Sequence, residues 1–199
     1  DVINIPSRSP VKVFCLGEVR TPGAMEFDSD DRITLLSAIA KAGGPADRWV
    51  SRVFASSYDS GTAFVAKNGF RQDDFQAYLF KTTDYGATWT SISGNLPAQP
   101  INVVWQDRVN RNLLFVGNDK GVWASIDGGG RWVRMQGGMP GVPVHDLVVH
   151  PREQDLVVGT YGRAMYVTDV SVLQQVDEKL LAEDVHLFNI EPRTPFQSS

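Results

Sequence analysis

Hydrophobic and polar positions divide the chain into two unlike stretches. In the first, Val11-Lys-Val-Phe-Cys-Leu-Gly-Glu-Val19 alternates with period two, which predicts a strand, and Thr21-Pro22-Gly23 supplies the turn after it. Asp30 or Asp31 is placed to cap a helix whose inward positions are Ile33, Leu36 and Ile39 or Ala40. Gly43-Gly44-Pro45 ends that helix, because glycine accepts a left-handed cap and proline cannot continue the turn. The unit over residues 1–47 is a small α+β segment that buries too little surface to stand alone. The second stretch carries short apolar runs that end in small or turn residues: Ala63-Phe-Val-Ala66, Leu113-Leu-Phe-Val-Gly117 and Leu156-Val-Val-Gly159. Such runs predict buried strands. Ser171 and Gln174 have capping-box spacing, with Leu173, Val176 and Leu180 along one helical face. The region 171–199 therefore reads as a closing helix, a strand and a linker that starts at Pro192.

The apolar runs belong to a repeat. Thr82-Thr-Asp84-Tyr-Gly86-Ala-Thr-Trp89 and Ser125-Ile-Asp127-Gly-Gly129-Gly-Arg-Trp132 share one pattern of hydroxyl, Asp, Gly and Trp, with the aspartates 43 residues apart. That period suits a four-stranded propeller blade. Gly159 follows Gly117 by 42 residues, so a third unit keeps the period, although its box is reduced to Thr168-Asp169. An aspartate in a tight turn accepts backbone N–H groups, glycine takes a conformation other residues resist, and tryptophan supplies a large apolar face. Thr82, Asp84, Gly86, Trp89, Ser125, Asp127, Gly129 and Trp132 are therefore read as structural.

This pattern resembles the Asp-box (BNR) repeat of sialidases and sortilin-type receptors. Residues 49–193 resemble the sortilin-like propellers of bacteria, through Tyr78-Leu-Phe-Lys-Thr-Thr-Asp-Tyr-Gly-Ala-Thr-Trp89, Val144-His-Asp-Leu-Val-Val-His-Pro151 and Asp155-Leu-Val-Val-Gly-Thr-Tyr-Gly-Arg-Ala-Met-Tyr166. In those families the box is a folding element away from the active site. Residues 1–47 resemble part of the soluble-ligand-binding β-grasp (SLBB) domain of polysaccharide export proteins. The residues concerned are Asp1-Val-Ile-Asn-Ile-Pro6, Val13-Phe-Cys-Leu-Gly-Glu-Val-Arg-Thr-Pro-Gly23 and Leu35-Leu-Ser-Ala-Ile-Ala-Lys-Ala-Gly-Gly44. The family's further strands do not follow, so the unit reads as truncated. These resemblances imply a place in the bacterial cell envelope, periplasmic or extracellular.

Composition narrows the function classes. A net charge of -4 with no basic stripe argues against nucleic acid, which demands a concentrated cationic surface. No apolar run reaches the roughly 18 residues of a membrane span. The single cysteine, Cys15, excludes an internal disulfide and reads as a core filler on its strand. The chain opens on Asp1 with no leader pattern and reads as an excised or processed piece. The change of character at Asp47-Arg48-Trp49 has no flexible linker, so a natural fusion and a chimeric chain both stand as readings.

Candidate chemistry gathers in two places. Asn68-Gly-Phe-Arg-Gln-Asp-Asp-Phe-Gln-Ala-Tyr78 interrupts the first repeat and brings together Arg71, Asp73, Asp74, Phe75 and Tyr78, a mixture suited to binding sugar or peptide. Tyr161 and Arg163 form the second group. Asp73 and Asp74 are adjacent, whereas paired glycosidase carboxylates flank a bond at roughly 5–10 Å from different loops. Sialidase chemistry asks for three arginines and a tyrosine, of which Tyr161 and Arg163 alone are at hand. His145 and His150 fall on opposite faces of a strand, which disfavours a shared metal. Gly128-Gly129-Gly130 lacks the following Lys-Ser/Thr of a phosphate loop.

The sequence thus predicts a mainly β chain. A partial β-propeller of about three Asp-box blades (48–170) follows a truncated β-grasp-like segment (1–47). It reads as a noncatalytic module that presents loops to protein or glycan, without cofactor or metal, linked by resemblance to polysaccharide export. Three blades cannot close a ring, so open blade edges are candidates for self-association. The alternatives are a fragment of a propeller-type glycoside hydrolase and a chimeric chain without evolved function.

Overall fold

The computed structural model describes residues 11–15, 23–27, 48–177, 179–180, 183 and 185–190. Strands β1 (Val11–Cys15) and β2 (Gly23–Phe27) form an antiparallel hairpin in which Val11 pairs with Phe27 and Cys15 with Gly23. Gly23, expected in the turn, is the first paired residue of β2. The helix expected after Asp30 or Asp31, the packing of Cys15 and the linker from Pro192 lie outside the described residues.

Three antiparallel sheets follow, each a meander in chain order. The first blade is β3 (Trp49–Ala55), β4 (Ala63–Gly69), β5 (Asp74–Thr82) and β6 (Thr90–Ser91). The second is β7 (Ile101–Gln106), β8 (Leu114–Asn118), β9 (Gly121–Ser125) and β10 (Val133–Arg134). The third has three strands, β11 (Val144–Val149), β12 (Asp155–Thr160) and β13 (Met165–Asp169). The chain is mainly β, and its bulk is a partial propeller.

The runs that read as buried strands are the central strands β4, β8 and β12, which have neighbours on both sides. Alternation along β8 sends one set of its side chains to the first blade and the other to the third. Phe64 and Ala66 of the first blade meet Leu114, Val116 and Trp132 of the second in one buried cluster. Phe115 and Val103 of the second meet Leu147, Leu156 and Val158 of the third in another. Phe54 and Trp105, in corresponding positions of successive blades, tilt together at 5.0 Å across the first interface. Sheets packed face to face on both flanks are the repeating unit of a propeller.

The third blade shows what an uncovered face looks like. Trp105, Phe115 and Ala124 lie side by side in the second blade, and the third blade covers them. The residues in the same registers one repeat later, Val148, Val157 and Val167, form a cross-strand row on the far side of the third blade. Val148, Val167 and the nearby Met165 are exposed.

The closing helix differs from its expected form. It is one turn, α1 (Ser171–Gln174), and no side chain caps it. The Ser171 amide donates instead to Asp169 Oδ1 at 2.7 Å. Gln174 turns inward, and its Nε2 donates to Asp107 Oδ2 at 2.7 Å in the second blade. Asn110 Nδ2 then donates to the Val176 carbonyl at 2.7 Å, which ties the end of the helix to the same loop. The strand expected within 171–199 does not form among the described residues. Residues 185–190 are coil with Val185, Leu187 and Ile190 exposed, anchored by Gln175 and Asn189 exchanging two hydrogen bonds.

Candidate functional site

The two box turns have the same internal wiring. Thr82 Oγ1 donates to Asp84 Oδ1 at 2.7 Å and accepts the Gly86 amide at 2.9 Å. Ser125 Oγ donates to Asp127 Oδ1 at 2.7 Å and accepts the Gly129 amide at 2.9 Å. Four residues beyond each aspartate a backbone amide completes the turn, from Thr88 to Asp84 and from Arg131 to Asp127. The Thr88 hydroxyl and amide, with Thr82, hold Asp84 down to about 2. Burial of Asp127 works to raise its pKa, but the Arg131 amide, the Ser125 hydroxyl and further turn amides together bring it below the usual carboxylate range.

The tryptophans differ. Trp132 is 1% exposed, and its Nε1 donates to the Ile92 carbonyl of the preceding blade at 2.8 Å. Its backbone amide and carbonyl both bond to the Asn95 side chain, each at 2.8 Å. A Cβ on Gly129 would stand 2.9 Å from Ile92, so only glycine lets the turn approach the first blade this closely. Trp89 is half-buried, and its Nε1 makes no hydrogen bond.

Each box turn meets the loop joining the first two strands of its blade. The Tyr85 amide donates to the Gly61 carbonyl at 3.0 Å, and the Gly128 amide to the Asn112 carbonyl at 2.8 Å. These turns therefore make one end of the arc. A hollow of about 430 Å³ lies between the boxes, with Lys81, Thr83, Thr88, Thr90 and Ser91 in its wall. Thr88 is already spent on Asp84, and the wall holds no aromatic ring.

The other end is formed by the β4–β5, β8–β9 and β12–β13 hairpins, stitched together by polar bonds. Asn68 Nδ2 donates to Asn102 Oδ1 at 3.1 Å, and Asn102 Nδ2 reaches Asp119 Oδ1 at 2.9 Å and the Val144 carbonyl at 3.2 Å. The Tyr161 amide donates to the Pro143 carbonyl at 2.9 Å. Arg52 of β3 pairs with Asp146 of β11 at 2.6 Å, skipping the second blade, as innermost strands converging on one axis do. Both candidate binding groups therefore share this hairpin end, opposite the boxes.

Phe64 and Phe115 are 51 residues apart while Lys81 and Ala124 are 43 apart, so the β4–β5 hairpin is the longer one. Residues 70–72 form a 3-10 turn, and Asp73 closes it in a left-handed conformation (φ 56) with its amide bonded to the Phe70 carbonyl. Asp74 through Tyr78 are not loop but the start of β5. The Asp74 carboxylate is fully engaged. Tyr78 Oη donates to Oδ2 at 2.7 Å, the Gln76 amide to Oδ1 at 3.0 Å, and Arg48 Nε to Oδ2 at 2.8 Å. These donors, Tyr78 foremost, bring Asp74 down to about 2, and Asp74 in turn raises the Tyr78 and Arg48 values. Asp74 and Tyr78 thus form an internal strut, while Arg71 and Asp73 stay exposed.

Around them lies an aromatic surface of which sequence reasoning named Phe75 and Tyr161 but missed Trp49 and Phe70. Trp49 is 61% exposed with the Arg71 guanidinium 5.1 Å from its ring centroid. Phe70, 59% exposed, meets the exposed Phe75 edge to face at 6.4 Å. Tyr161, 73% exposed, stacks on His145 at 5.4 Å beside the exposed Arg163. The available signal is that Trp49 adjoins Arg48 and Phe75 adjoins Asp74, with Phe70 four positions before Asp74, and strand pairing brings these stretches to one edge. His145 and His150 stand at opposite ends of β11, the latter accepting the Glu153 amide. Among the described residues no cluster of three His, Cys, Asp or Glu could hold a metal, and no helix is long and apolar enough to cross a membrane.

No family model matches the chain, and no curated protein does. Solved structures similar to it include a GH74 enzyme from Niastella koreensis, at 19% identity and a TM-score of 0.49 over 60% of this chain and 21% of that one. YCF48 from Cyanidioschyzon merolae is 18% identical with a TM-score of 0.46, over 63% and 35% of the two chains. The GH74 xyloglucanase from Xanthomonas campestris is 15% identical with a TM-score of 0.48, over 73% and 23%. The chain thus spans between about a fifth and about a third of these proteins' lengths.

Proposed function

We propose that the chain is a noncatalytic binding module that engages glycan through its hairpin end, with the box turns serving as folding elements at the other. One observation carries this reading: Trp49, Phe70, Phe75 and Tyr161 are presented to solvent at that end instead of being packed. Exposed rings offer flat apolar faces for the C–H faces of sugars, and rings flanked by polar donors are the usual furniture of binding loops. The glycosidase alternative needs a carboxyl group that holds a proton near neutrality. Asp74 is pressed the other way, and three neighbours occupy its oxygens. A cell-envelope setting fits this reading and rests on the sequence resemblance.

Affinity electrophoresis through gels containing a panel of soluble polysaccharides tests it. Retardation by at least one glycan, lost in Trp49→Ala and Tyr161→Ala, is the expected result. Equal mobility in every gel, or turnover of a glycan that Asp74→Asn abolishes, contradicts it.

A second, assembly reading rests on the Val148–Val157–Val167 row. Its counterpart in the second blade is buried by a neighbouring sheet, so we propose that a second copy of the chain covers the row in solution. Light scattering then gives a mass above that of one chain, and Val167→Lys returns it to monomer. A monomeric wild-type protein at 100 μM, on the order of ordinary self-association constants, overturns it.

A further inference from the structure

Charge is distributed unevenly between the two ends of the arc, although the sequence scatters it evenly. At the hairpin end Arg71, Lys120, Arg134 and Arg163 are all exposed. They come from three hairpin turns and one strand: the β4–β5, β8–β9 and β12–β13 turns and β10. Arg134 lies at this end because its guanidinium stands beside Gly121, the first residue of β9, and beside Gly141. Of the acids that would balance these cations, Asp74 is paired with Arg48 and Asp146 with Arg52, which leaves Asp119 and Asp73 as the carboxylates facing four exposed cations. Asp73 is the exposed acid that remains in the longest hairpin. At the opposite end Lys81, Arg108, Arg111, Arg131 and Arg152 are outnumbered by Asp59, Asp84, Asp107, Asp127, Glu153, Asp155 and Asp169.

An acidic protein with a cationic, ring-bearing end selects its ligand by sign. The far end repels an anion and the near end attracts it, which orients the encounter. Guanidinium groups bind carboxylates through two parallel N–H bonds, and Arg71 is already set over the Trp49 ring, which is 61% exposed. A ring for the sugar plane with an arginine at its margin is the combination that a carboxylated sugar fits. We infer that the hairpin end takes an acidic polysaccharide, a glycan whose sugar units carry carboxylates. This rests on the glycan-binding reading above and narrows it to one chemical class.

The probes are polygalacturonate, neutral dextran and poly-glutamate, each titrated into the intact chain by calorimetry at 50 mM and 500 mM NaCl, concentrations roughly bracketing a Debye length of 10 Å. Polygalacturonate is expected to bind at least about tenfold tighter at the lower salt, and more tightly than dextran at both. Arg71→Ala and Arg163→Ala should each weaken it about three- to tenfold while the melting temperature stays within a few degrees. If either variant unfolds, Lys120→Ala, on a solvent-facing turn, carries the same test. Dextran bound as tightly as polygalacturonate overturns the acidic assignment and leaves the glycan reading standing. Poly-glutamate bound as tightly as polygalacturonate replaces it with an acidic peptide. Failure of all three probes to bind overturns the acidic assignment, while a neutral glycan other than dextran retarding the chain in gels keeps the broader reading alive.

Discussion

Trp132→Ala should be the most damaging single change in the propeller arc, and the matching change in the other box, Trp89→Ala, should be much milder. The sequence treats the two residues alike, but the structure separates them. Trp132 is fully enclosed among Leu114, Val116 and Phe64, and its Nε1 bonds to the Ile92 carbonyl across the blade interface. Removing a buried tryptophan costs about 3–5 kcal/mol, because the lost transfer energy is joined by a cavity that rigid sheets fill poorly. Loss of the indole donor also leaves the part-buried Ile92 carbonyl without this partner, and the cost of that is contained in the same figure. Trp89 is half-buried with no partner for its N–H, so its truncation should cost about 1–2 kcal/mol. Against a total stability of roughly 5–15 kcal/mol, the first change consumes much of the margin and the second little of it. Equilibrium urea unfolding followed by circular dichroism measures both. Trp132→Phe, which keeps most of the ring and loses the N–H, should fall between wild type and alanine. If Trp132→Ala costs no more than Trp89→Ala, the box tryptophan is not a bridge between blades and the interface described here is wrong.

Three further perturbations follow from the same geometry. A Cβ on Gly117 would stand 2.6 Å from Val103 Cγ1 and Val144 Cγ1 at the second blade interface, whereas one on Gly159, a repeat later, has its nearest neighbour at 3.6 Å. Gly117→Ala should therefore cost about 1–3 kcal/mol in urea unfolding and Gly159→Ala less than about 1, and the reverse order would contradict the open face of the third blade. Asp74 and Asp84 sit at about 2 against an ordinary 3.8, so the unfolded chain takes up protons before the folded one as pH falls. Their stabilisation is complete above the ordinary value and is lost on descending toward 2. The melting temperature should be level near neutrality and fall between about pH 4 and 2, less steeply in Asp74→Asn; a curve of unchanged slope in that variant would discount the Asp74 strut. The Arg52–Asp146 pair joins the first and third blades but is largely exposed, so a double-mutant cycle should give a coupling of only about 0.2–1 kcal/mol. A larger value would mean that this bridge, not the two apolar clusters, holds the arc together.

The box residues were legible because their chemistry is local: Thr82, Asp84 and Gly86, like Ser125, Asp127 and Gly129, bond within five residues of one another. The central strands were legible because a run such as Leu113–Gly117 is apolar on both faces only if both are covered. Long-range partners were not. Asp74 stands in the sequence as one of two adjacent surface acids, and only the pairing of β3, β4 and β5 brings Arg48, 26 residues away, onto it. Gln174 has the spacing of a capping residue, yet Asp107, 67 residues earlier, offers its amide a buried acceptor that the helix start cannot match. The cationic hairpin end was invisible for a similar reason. Arg71, Lys120, Arg134 and Arg163 are far apart in the chain and become one surface because successive turns of the antiparallel meanders alternate between the two ends, so that every second turn returns to the same end. Gly23 was read as a turn residue from a dipeptide signal, whereas pairing with Cys15 draws it into β2.

The most direct test of the central claim is to map a bound glycan onto the arc by amide hydrogen exchange, using polygalacturonate oligomers at saturating concentration. The account predicts that protection increases at the hairpin end, in segments 69–75, 119–121 and 161–165, and that the box turns 83–89 and 126–132 are unchanged. Protection confined to the box turns and the hollow between them would contradict it, because binding would then fall at the end of the arc where carboxylates outnumber cations.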